Sequence, residues 1–300
     1  TGMWQTEKGL FALPARAFPL LAGADEATLA SIQDAETLAG LLRDEANIYD
    51  DGRSETMPLL AYYNTVQMFD TFYPLYARDI WQNGQLDEAA CRGFYELLGQ
   101  IRSGGAATLY NGAPFDRPDG TFYHPQNGTA SNFTNCICRA FCSPVYSLNA
   151  LGGDFYYASR VGGANAGEVK ALATASGATS IQPACVAAVN VSAQNPEGAM
   201  QFIQTLLSEE VQSQNTYDGV PVLKSAVLSQ WEEGFAQYGT ATNTDILAVL
   251  EDMEPNLPST VLRSAVGAGA QKYLDGASLD EAVETARQGA ALWLAVQGCR

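Results

Sequence analysis

Four amphipathic helices are predicted to close the chain, at about residues 224–238, 244–252, 259–274 and 279–296. The last of these begins with a capping box, in which Ser278 and Glu281 satisfy free backbone N–H groups at the start of the helix. Its apolar residues recur every three or four positions and share one face: Leu279, Ala282, Val283, Ala286, Ala290 and Trp293. Such a face has to be covered by another layer, so this part of the chain predicts helices packed around a core.

Short apolar strands are scattered through the residues before these helices. We predict one strand over residues 10–13, ended by Pro14, and another over residues 184–192. Residues 103–167 are rich in glycine and asparagine, which predicts loops and short strands.

Further helices are predicted between the strands. Asp34 and Asp87 each precede a run of apolar residues at helical spacing, which is typical of N-cap residues. Residues 59–81 predict a helix that breaks before Pro74, because the residue before a proline disfavours helical dihedrals.

Strands and helices together predict a mixed α/β fold, but they do not alternate regularly. Three hundred residues exceed a comfortable single core, and 47% hydrophobic residues are enough to fill two. We therefore expect two lobes that exchange segments rather than one doubly wound sheet.

The helix after the strand at 184–192 has a well-marked start and end. Asn195 is its predicted N-cap, Pro196 takes the first helical position, and the segment ends at the turn Gly219–Pro221. Its apolar residues are predicted to share one stripe: Ala199, Phe202, Ile203, Leu206, Leu207 and Val211.

The charge of the chain excludes some partners. Acidic residues outnumber basic ones 33 to 16, and the isoelectric point is about 4.3. Nucleic acids and anionic membrane surfaces both require clustered Lys and Arg, so neither is an expected partner. No apolar run reaches the roughly 18 residues of a membrane-spanning helix.

Motifs of common enzymes and nucleotide-binding proteins are absent from the sequence. It contains neither the G-x-S-x-G turn of α/β hydrolases nor a phosphate-binding P-loop. The single histidine, His124, lies in a predicted loop, and Gly267 and Gly269 are interpreted as positions where helices pack closely. Neighbouring acidic residues on the helices are interpreted as solvated surface. We therefore expect no catalytic residues and no cofactor.

The six cysteines leave the redox compartment undecided. Cys136, Cys138 and Cys142 have the spacing C-x-C-x₃-C, which lacks the second pair of ligands that zinc sites require. Buried thiols are the favoured interpretation and a disulfide is the alternative, so no metal site is expected.

Aromatic residues are concentrated between positions 62 and 81. Most of them must pack in a core, but one or two at the edge of a cleft would suit stacking on a sugar ring. The residues are Tyr62, Tyr63, Phe69, Phe72, Tyr73, Tyr76 and Trp81.

Four segments carry a resemblance to a known family. They are KGLFALPARAF (residues 8–18), VNVSAQNPEGAMQFIQTLLSEEVQ (189–212), Gly219–Pro221 with the following Lys-Ser-Ala, and QKYLDGASLDEAVETARQGAALWL (271–294). In this order they resemble the strand that crosses between lobes, the strand and helix that follow, the G-x-P turn and the closing helix pair of one family. That family is the extracellular solute-binding proteins of ABC transporters, in its sugar-binding group.

The resemblance implies a periplasmic-binding-protein-like (type II) α/β fold with two lobes joined by a hinge. It assigns residues 18–165 and 228–300 to the C-terminal lobe. Residues 1–17 and 168–226 become the hinge strand and the remaining part of the N-terminal lobe. In the family, roughly a hundred residues precede the crossing strand, about one domain's worth of chain. The first part of lobe one is therefore expected to be missing ahead of residue 1.

The implied function is the binding of a small polar solute, with a sugar or oligosaccharide as the expected ligand, for delivery to an ABC-transporter permease. The resemblance implies a monomer outside the cell, either lipid-anchored or periplasmic, that binds without catalysis. Two alternatives remain open: a carbohydrate-active enzyme on a related scaffold, and an interaction domain that no longer binds a ligand.

The resemblance also implies ligand-binding residues at five places in the chain. These are the crossing strand, the start of the aromatic helix, the turn after the cysteine-containing strand, the turn before Gly219, and the start of the penultimate helix. The expected residues are Arg16, Phe18, Asn64, Phe69, Asp70, Ser143, Tyr146, Tyr217, Ser259 and Arg263.

Overall fold

The computed structural model describes residues 5–6, 9–10, 12–44, 59–60, 65–102, 115–116, 122–123, 139–162, 167–256 and 260–296. The helices in these ranges are α1 (Glu26–Ser31), α2 (Ala35–Asp44), α3 (Thr65–Ile80), α4 (Glu88–Ile101), α5 (Leu148–Gly162), α6 (Pro196–Leu206), α7 (Glu209–Gln212), α8 (Lys224–Tyr238), α9 (Ile246–Glu251), α10 (Thr260–Leu274) and α11 (Leu279–Val296). The strands are β1 (Gln5–Thr6), β2 (Gly9–Leu10), β3 (Leu13–Ala24), β4 (Trp81–Gln82), β5 (Gln85–Leu86), β6 (Phe115–Asp116), β7 (Phe122–Tyr123), β8 (Ala140–Pro144), β9 (Glu168–Ala171), β10 (Ile181–Ala187) and β11 (Val220–Pro221).

The long strand β3 organises the main sheet and changes its neighbours halfway along. Residues 13–19 pair antiparallel with β10, and Arg16 and Ala17 also pair with β11. Residues 20–24 pair antiparallel with β8 and β9 instead. The first part of β3 with β10 and β11 is named the first half-sheet. The second part of β3 with β8 and β9 is named the second half-sheet.

β3 contains two prolines, so the prediction that this strand ends at Pro14 is wrong. Pro14 lies opposite Val186, next to an irregularity in the register of β10. Prolines are tolerated in strands at such irregularities, because a ladder hydrogen bond is already lost there. Pro19 is the last residue before the neighbours change, and its carbonyl accepts a hydrogen bond from the N–H of Val145 (2.9 Å).

The second half-sheet is covered by helices on both faces. Successive residues of a strand point to opposite sides of the sheet. Leu20 and Ala22 join a buried cluster with α2, α3, α4, α10 and α11, whereas Leu21 joins a second cluster with α5, α8 and α9. Burying one leucine side chain in this way stabilises the fold by about 1.5–3 kcal/mol. The result is the layered arrangement of helices and sheet expected of an α/β protein.

The first half-sheet is covered much less completely. Cys185 and Val186 of β10 are exposed, and α6 buries only Ile203. Phe202, which belongs to the apolar stripe of this helix, is 62% exposed. Helical spacing identifies which residues share a face, but only a packing partner can bury that face.

The predicted helix caps and the capping box are confirmed. At the start of α11, the carboxylate of Glu281 accepts from the backbone N–H of Ser278 (3.0 Å), and the hydroxyl of Ser278 accepts from that of Glu281 (3.3 Å). The three other caps accept backbone hydrogen bonds as follows: Asp34 from Thr37 (2.6 Å), Asp87 from Ala90 (3.0 Å) and Asn195 from Gly198 (2.9 Å).

The helix α3 continues through Pro74, so the predicted break is wrong. A proline inside a helix removes one backbone hydrogen bond and costs about 3 kcal/mol. The flanking residues Tyr73 and Leu75 are buried in the core, and the side-chain amide of Asn256 donates to the carbonyl of Pro74. Packing and this added hydrogen bond offset the loss.

The helix α5 occupies part of the stretch 103–167 that was predicted as loops and strands, so the prediction is wrong there. The glycines in α5 explain why the sequence did not predict this helix, because glycine disfavours helices. A Cβ at Gly152 would lie 2.1 Å from the carbonyl oxygen of Gly234 in α8. The missing side chains allow the two helices to cross in backbone contact.

In the described residues, the chain passes between the half-sheets at two places, within β3 and between β9 and β10. After β11, helix α8 packs in the cluster of Leu21. This exchange explains why strands and helices do not alternate regularly. β9 pairs in the second half-sheet, so a division of the chain along the half-sheets falls after residue 171. Within the described part of the chain, every helix is too short or too polar to serve as a membrane span.

Candidate functional site

The structure describes eight of the ten predicted ligand-binding residues, and these fall into two groups. Phe69, Asp70 and Arg263 line a pocket between α3 and α10, which is named the helix pocket. The others lie around the place where β3 changes neighbours: Arg16, Phe18, Ser143, Tyr146 and Tyr217. Asn64 and Ser259 lie outside the described residues, directly before the first residues of α3 and α10.

The helix pocket has a volume of about 170 Å³ and is open to solvent on one side. Besides the three predicted residues, sequence reasoning missed Thr65 and Val66 on α3 and four residues of α10: Ser264, Gly267, Ala270 and Gln271. The signal that could have found Gly267 and Ala270 is their spacing from Arg263, since positions four and seven residues apart share one face of a helix.

A charged pair lies in the wall of the helix pocket. The guanidinium of Arg263 donates from Nη2 to Oδ1 of Asp70, and the side chain of each residue is 40% exposed. At this exposure the pair itself contributes only about 0–1 kcal/mol to stability. Both groups have further capacity, because a guanidinium carries five N–H donors and a carboxylate accepts several hydrogen bonds. The wall therefore offers donors and acceptors side by side, with no net charge.

The aromatic side of the pocket is rigid. The ring of Phe69 stacks on that of Tyr73, with centroids 4.9 Å apart and planes inclined by 17°, and meets the edge of Phe94 at 5.9 Å. A Cβ at Gly267 would lie 3.3 Å from the ring of Phe69, so the glycine leaves the approach to this ring open. Burial raises the pKa of Tyr73 to about 12, so its phenol is neutral near pH 7.

The aromatic segment between residues 62 and 81 is mainly core, as expected. Phe72 and Tyr73 are fully buried, and Tyr76 packs against the same cluster while its hydroxyl donates to Glu36 (2.8 Å). Phe69 is the member of this segment that reaches the helix pocket. Tyr62 and Tyr63 lie outside the described residues.

The second group contains three aromatic residues, Phe18, Tyr146 and Tyr217, which are together named the aromatic edge. The rings of Phe18 and Tyr146 have centroids 4.8 Å apart and are inclined by 55°. Tyr146 is 48% exposed and Tyr217 is 74% exposed. The N–H of Gly219, two residues after Tyr217, donates to the carbonyl of Tyr146 (3.1 Å). The paired rings of Phe18 and Tyr146 are suited to stacking on a flat ligand face.

Two predicted residues of the second group have buried side chains. Ser143 is buried on β8, where it pairs with Leu21. Arg16 is 5% exposed, and its guanidinium binds main-chain carbonyls and Asp218. In this arrangement neither side chain faces solvent, and ligand binding by these residues stays a prediction. The buried amides of Gln212 and Gln230, next to Arg16, carry no obvious functional signal in the sequence.

Of the cysteines described by the structure, Cys91 and Cys185 are free thiols. Cys142 is buried, as the sequence predicts, and so is Cys91, whereas Cys185 is exposed. Burial raises the pKa of the Cys91 thiol to about 11, so it stays protonated near neutral pH. Among the described residues, no three His, Cys, Asp or Glu side chains are grouped so that they could hold a metal ion. Cys136, Cys138 and His124 lie outside the described residues.

Comparison with known proteins identifies the fold. No protein-family model matches the sequence, and no curated protein matches it. A solved structure does match: the maltose/maltodextrin-binding domain MalE from Bdellovibrio bacteriovorus bound to maltotriose, with a TM-score of 0.54 and 13% sequence identity. The match covers 96% of this chain and 74% of the MalE chain. The chain therefore has the mixed α/β, periplasmic-binding-protein-like fold that its motifs predict.

Proposed function

We propose that this chain binds a carbohydrate for uptake by an ABC transporter, without catalysing a reaction. Its fold, which is similar to that of a maltodextrin-binding domain solved with maltotriose, supports this proposal. The observation that carries it is the helix pocket, in which the charged pair of Asp70 and Arg263 lies beside the ring of Phe69.

The chemistry of this pocket suits a neutral sugar. A sugar ring presents hydroxyl groups at its rim and C–H groups on its faces, so it needs both polar partners and an apolar surface. Asp70 can accept hydrogen bonds from hydroxyls, and Arg263 can donate to them. Because the two charges balance, a ligand with a net charge would gain from one residue and be repelled by the other.

The size of the pocket suits part of an oligosaccharide. Pockets that enclose a drug-sized ligand have volumes of about 300–1,000 Å³, whereas the helix pocket has about 170 Å³. We propose that it holds one part of the ligand and that the aromatic edge contacts another part.

We propose that the two half-sheets belong to two lobes that close on the ligand about a hinge. The exposed apolar residues of the first half-sheet region support an incomplete lobe there. On this proposal the first part of lobe one is missing from this sequence. The protein acts as a monomer outside the cell, lipid-anchored or periplasmic, and hands its ligand to a membrane permease.

The proposal is tested by isothermal titration calorimetry of the chain with maltotriose, followed by other neutral mono- and oligosaccharides. Binding is expected for at least one of these sugars. Arg263→Gln should weaken that binding about tenfold or more, because a hydrogen bond from a charged group is worth about 1.5–3 kcal/mol.

Arg287→Gln is the matched control, because Arg287 also forms a partly exposed ion pair, with Glu284 on α11, away from the pocket. This variant is expected to keep the affinity of the unmodified chain. Absence of binding to every neutral sugar, or equal losses in the two variants, would contradict the proposed function.

A further inference from the structure

A buried polar network fastens the chain after α7 to β3. Arg16 donates from Nη1 to the carbonyl of Gln212 (3.1 Å) and from Nη2 to the carbonyls of Val211 (3.1 Å) and Gln214 (3.4 Å). Its Nε lies 3.5 Å from Oδ1 of Asp218. A buried guanidinium is unfavourable unless it has polar partners, and these contacts give a partner to each of its three nitrogens.

Two buried glutamines extend this network. The side-chain amide of Gln212 donates to the carbonyls of Ala15 (3.0 Å) and Leu206 (2.8 Å), and its oxygen accepts from the N–H of Val222 (2.9 Å). Gln230 on α8 donates to the carbonyl of Gln212 (3.3 Å) from the other side. The network therefore ties β3, α8 and the segment between α7 and α8 to one another.

The segment held by this network contacts the second half-sheet region as well. The N–H of Gly219 donates to the carbonyl of Tyr146, and the hydroxyl of Ser147 donates to Oδ1 of Asn215 (2.9 Å). Gly219 has a positive φ of 123°, and a Cβ there would lie 3.0 Å from the carbonyl oxygen of Ala17. The turn therefore lies directly on β3 at this point, and only glycine accommodates both conditions.

We propose that Arg16 is a positioning residue for the aromatic edge rather than a ligand contact. It holds residues 213–219 against β3, and with them the exposed Tyr217, which lies two residues before the Gly219 N–H that binds the carbonyl of Tyr146. The planar guanidinium is required for this role, because it reaches three carbonyls at once and a lysine ammonium does not have this fork geometry. The effect on a ligand rests on the proposed function, whereas the effect on the turn does not.

Hydrogen–deuterium exchange of the whole chain tests the effect on the turn. Arg16→Met and the milder Arg16→Lys should each accelerate exchange within residues 211–222 about tenfold or more, as expected when hydrogen bonds to a charged group are lost. Exchange within α4 should not change. Arg43→Met is the control, since Arg43 is exposed and pairs only with the neighbouring Asp44 in the described structure.

Unchanged exchange at 211–222 in both Arg16 variants would overturn the proposal. An equal acceleration in α4 would also overturn it, because Arg16 would then support the whole fold rather than this turn.

Titration with maltotriose tests whether Arg16 acts through Tyr217. Arg16→Met should weaken binding roughly as much as Tyr217→Ala does, and the double variant should be no weaker than Tyr217→Ala alone. A further loss in the double variant would show that Arg16 acts on the ligand by another route and would overturn the positioning role. If the unmodified chain binds no sugar, the proposed function fails, and the exchange experiment still decides whether Arg16 holds the turn.

Discussion

The two parts of β3 belong to one continuous strand, yet their surroundings differ. Residues 20–24 are buried between two helical layers, and even a glycine in this part, Gly23, has no room for a Cβ beside Phe141. The first part pairs with β10, whose Cys185 and Val186 are exposed. The first part is held by polar contacts around Arg16 instead. A strand can therefore join two regions of unequal packing when hydrogen bonds replace apolar contacts at the junction.

The largest expected effect compares phenylalanines from the two regions. Phe72→Ala removes a fully buried ring from α3 and should lower the free energy of unfolding by about 3–5 kcal/mol. Phe202→Ala removes an exposed ring from α6 and should change it by no more than about 0.5 kcal/mol. Urea unfolding followed by circular dichroism measures both values. Similar losses in the two variants would mean that the first region is as well covered as the second.

A smaller effect is expected at the contact between α5 and α8. Gly152→Ala places a methyl group against the backbone of Gly234 and should lower the free energy of unfolding by about 2–3 kcal/mol. Gly93→Ala is the matched control in α4, because a Cβ there meets no atom within 4 Å. It should raise the free energy of unfolding by up to about 1 kcal/mol, since alanine favours helices. Equal stability of the two variants in urea would contradict close packing of α5 on α8.

The smallest expected effect compares two helix caps. Asp87→Ala and Asn195→Ala each remove one capping hydrogen bond, worth about 1 kcal/mol. Because α4 packs in the core, the loss of Asp87 should lower the global free energy of unfolding. The loss of Asn195 should mainly accelerate hydrogen exchange within α6, which buries only Ile203. A global loss of the same size from Asn195→Ala would show that α6 unfolds together with the core.

Some residues of the candidate site could be predicted from the sequence, and others could not. Phe69, Asp70 and Arg263 could be placed at helix starts from the resemblance, and the structure brings them together in one pocket. The contribution of Gly267 could not be foreseen, because it depends on the distance between α3 and α10. Arg16 shows the opposite case, since a charged residue on a strand suggests function until its partners are known.

The amino-acid sequence by itself determined the local features of this protein. The caps at Asp34, Asp87 and Asn195 and the box at Ser278 depend on hydrogen bonds within four residues, so the neighbouring residues are sufficient to predict them. Helix α8 begins and ends where its apolar spacing predicts.

Only the tertiary structure decided which local preferences were overruled. Pro74 stays inside a helix and Pro14 inside a strand, and a glycine-containing segment forms α5. In each case, contacts between residues far apart in the chain outweigh a local cost of a few kcal/mol. The same contacts determine that Phe72 is buried and Phe202 is exposed, although both lie on amphipathic helices. The pattern of a helix shows which residues share a face, and the packing of the fold determines whether that face is covered.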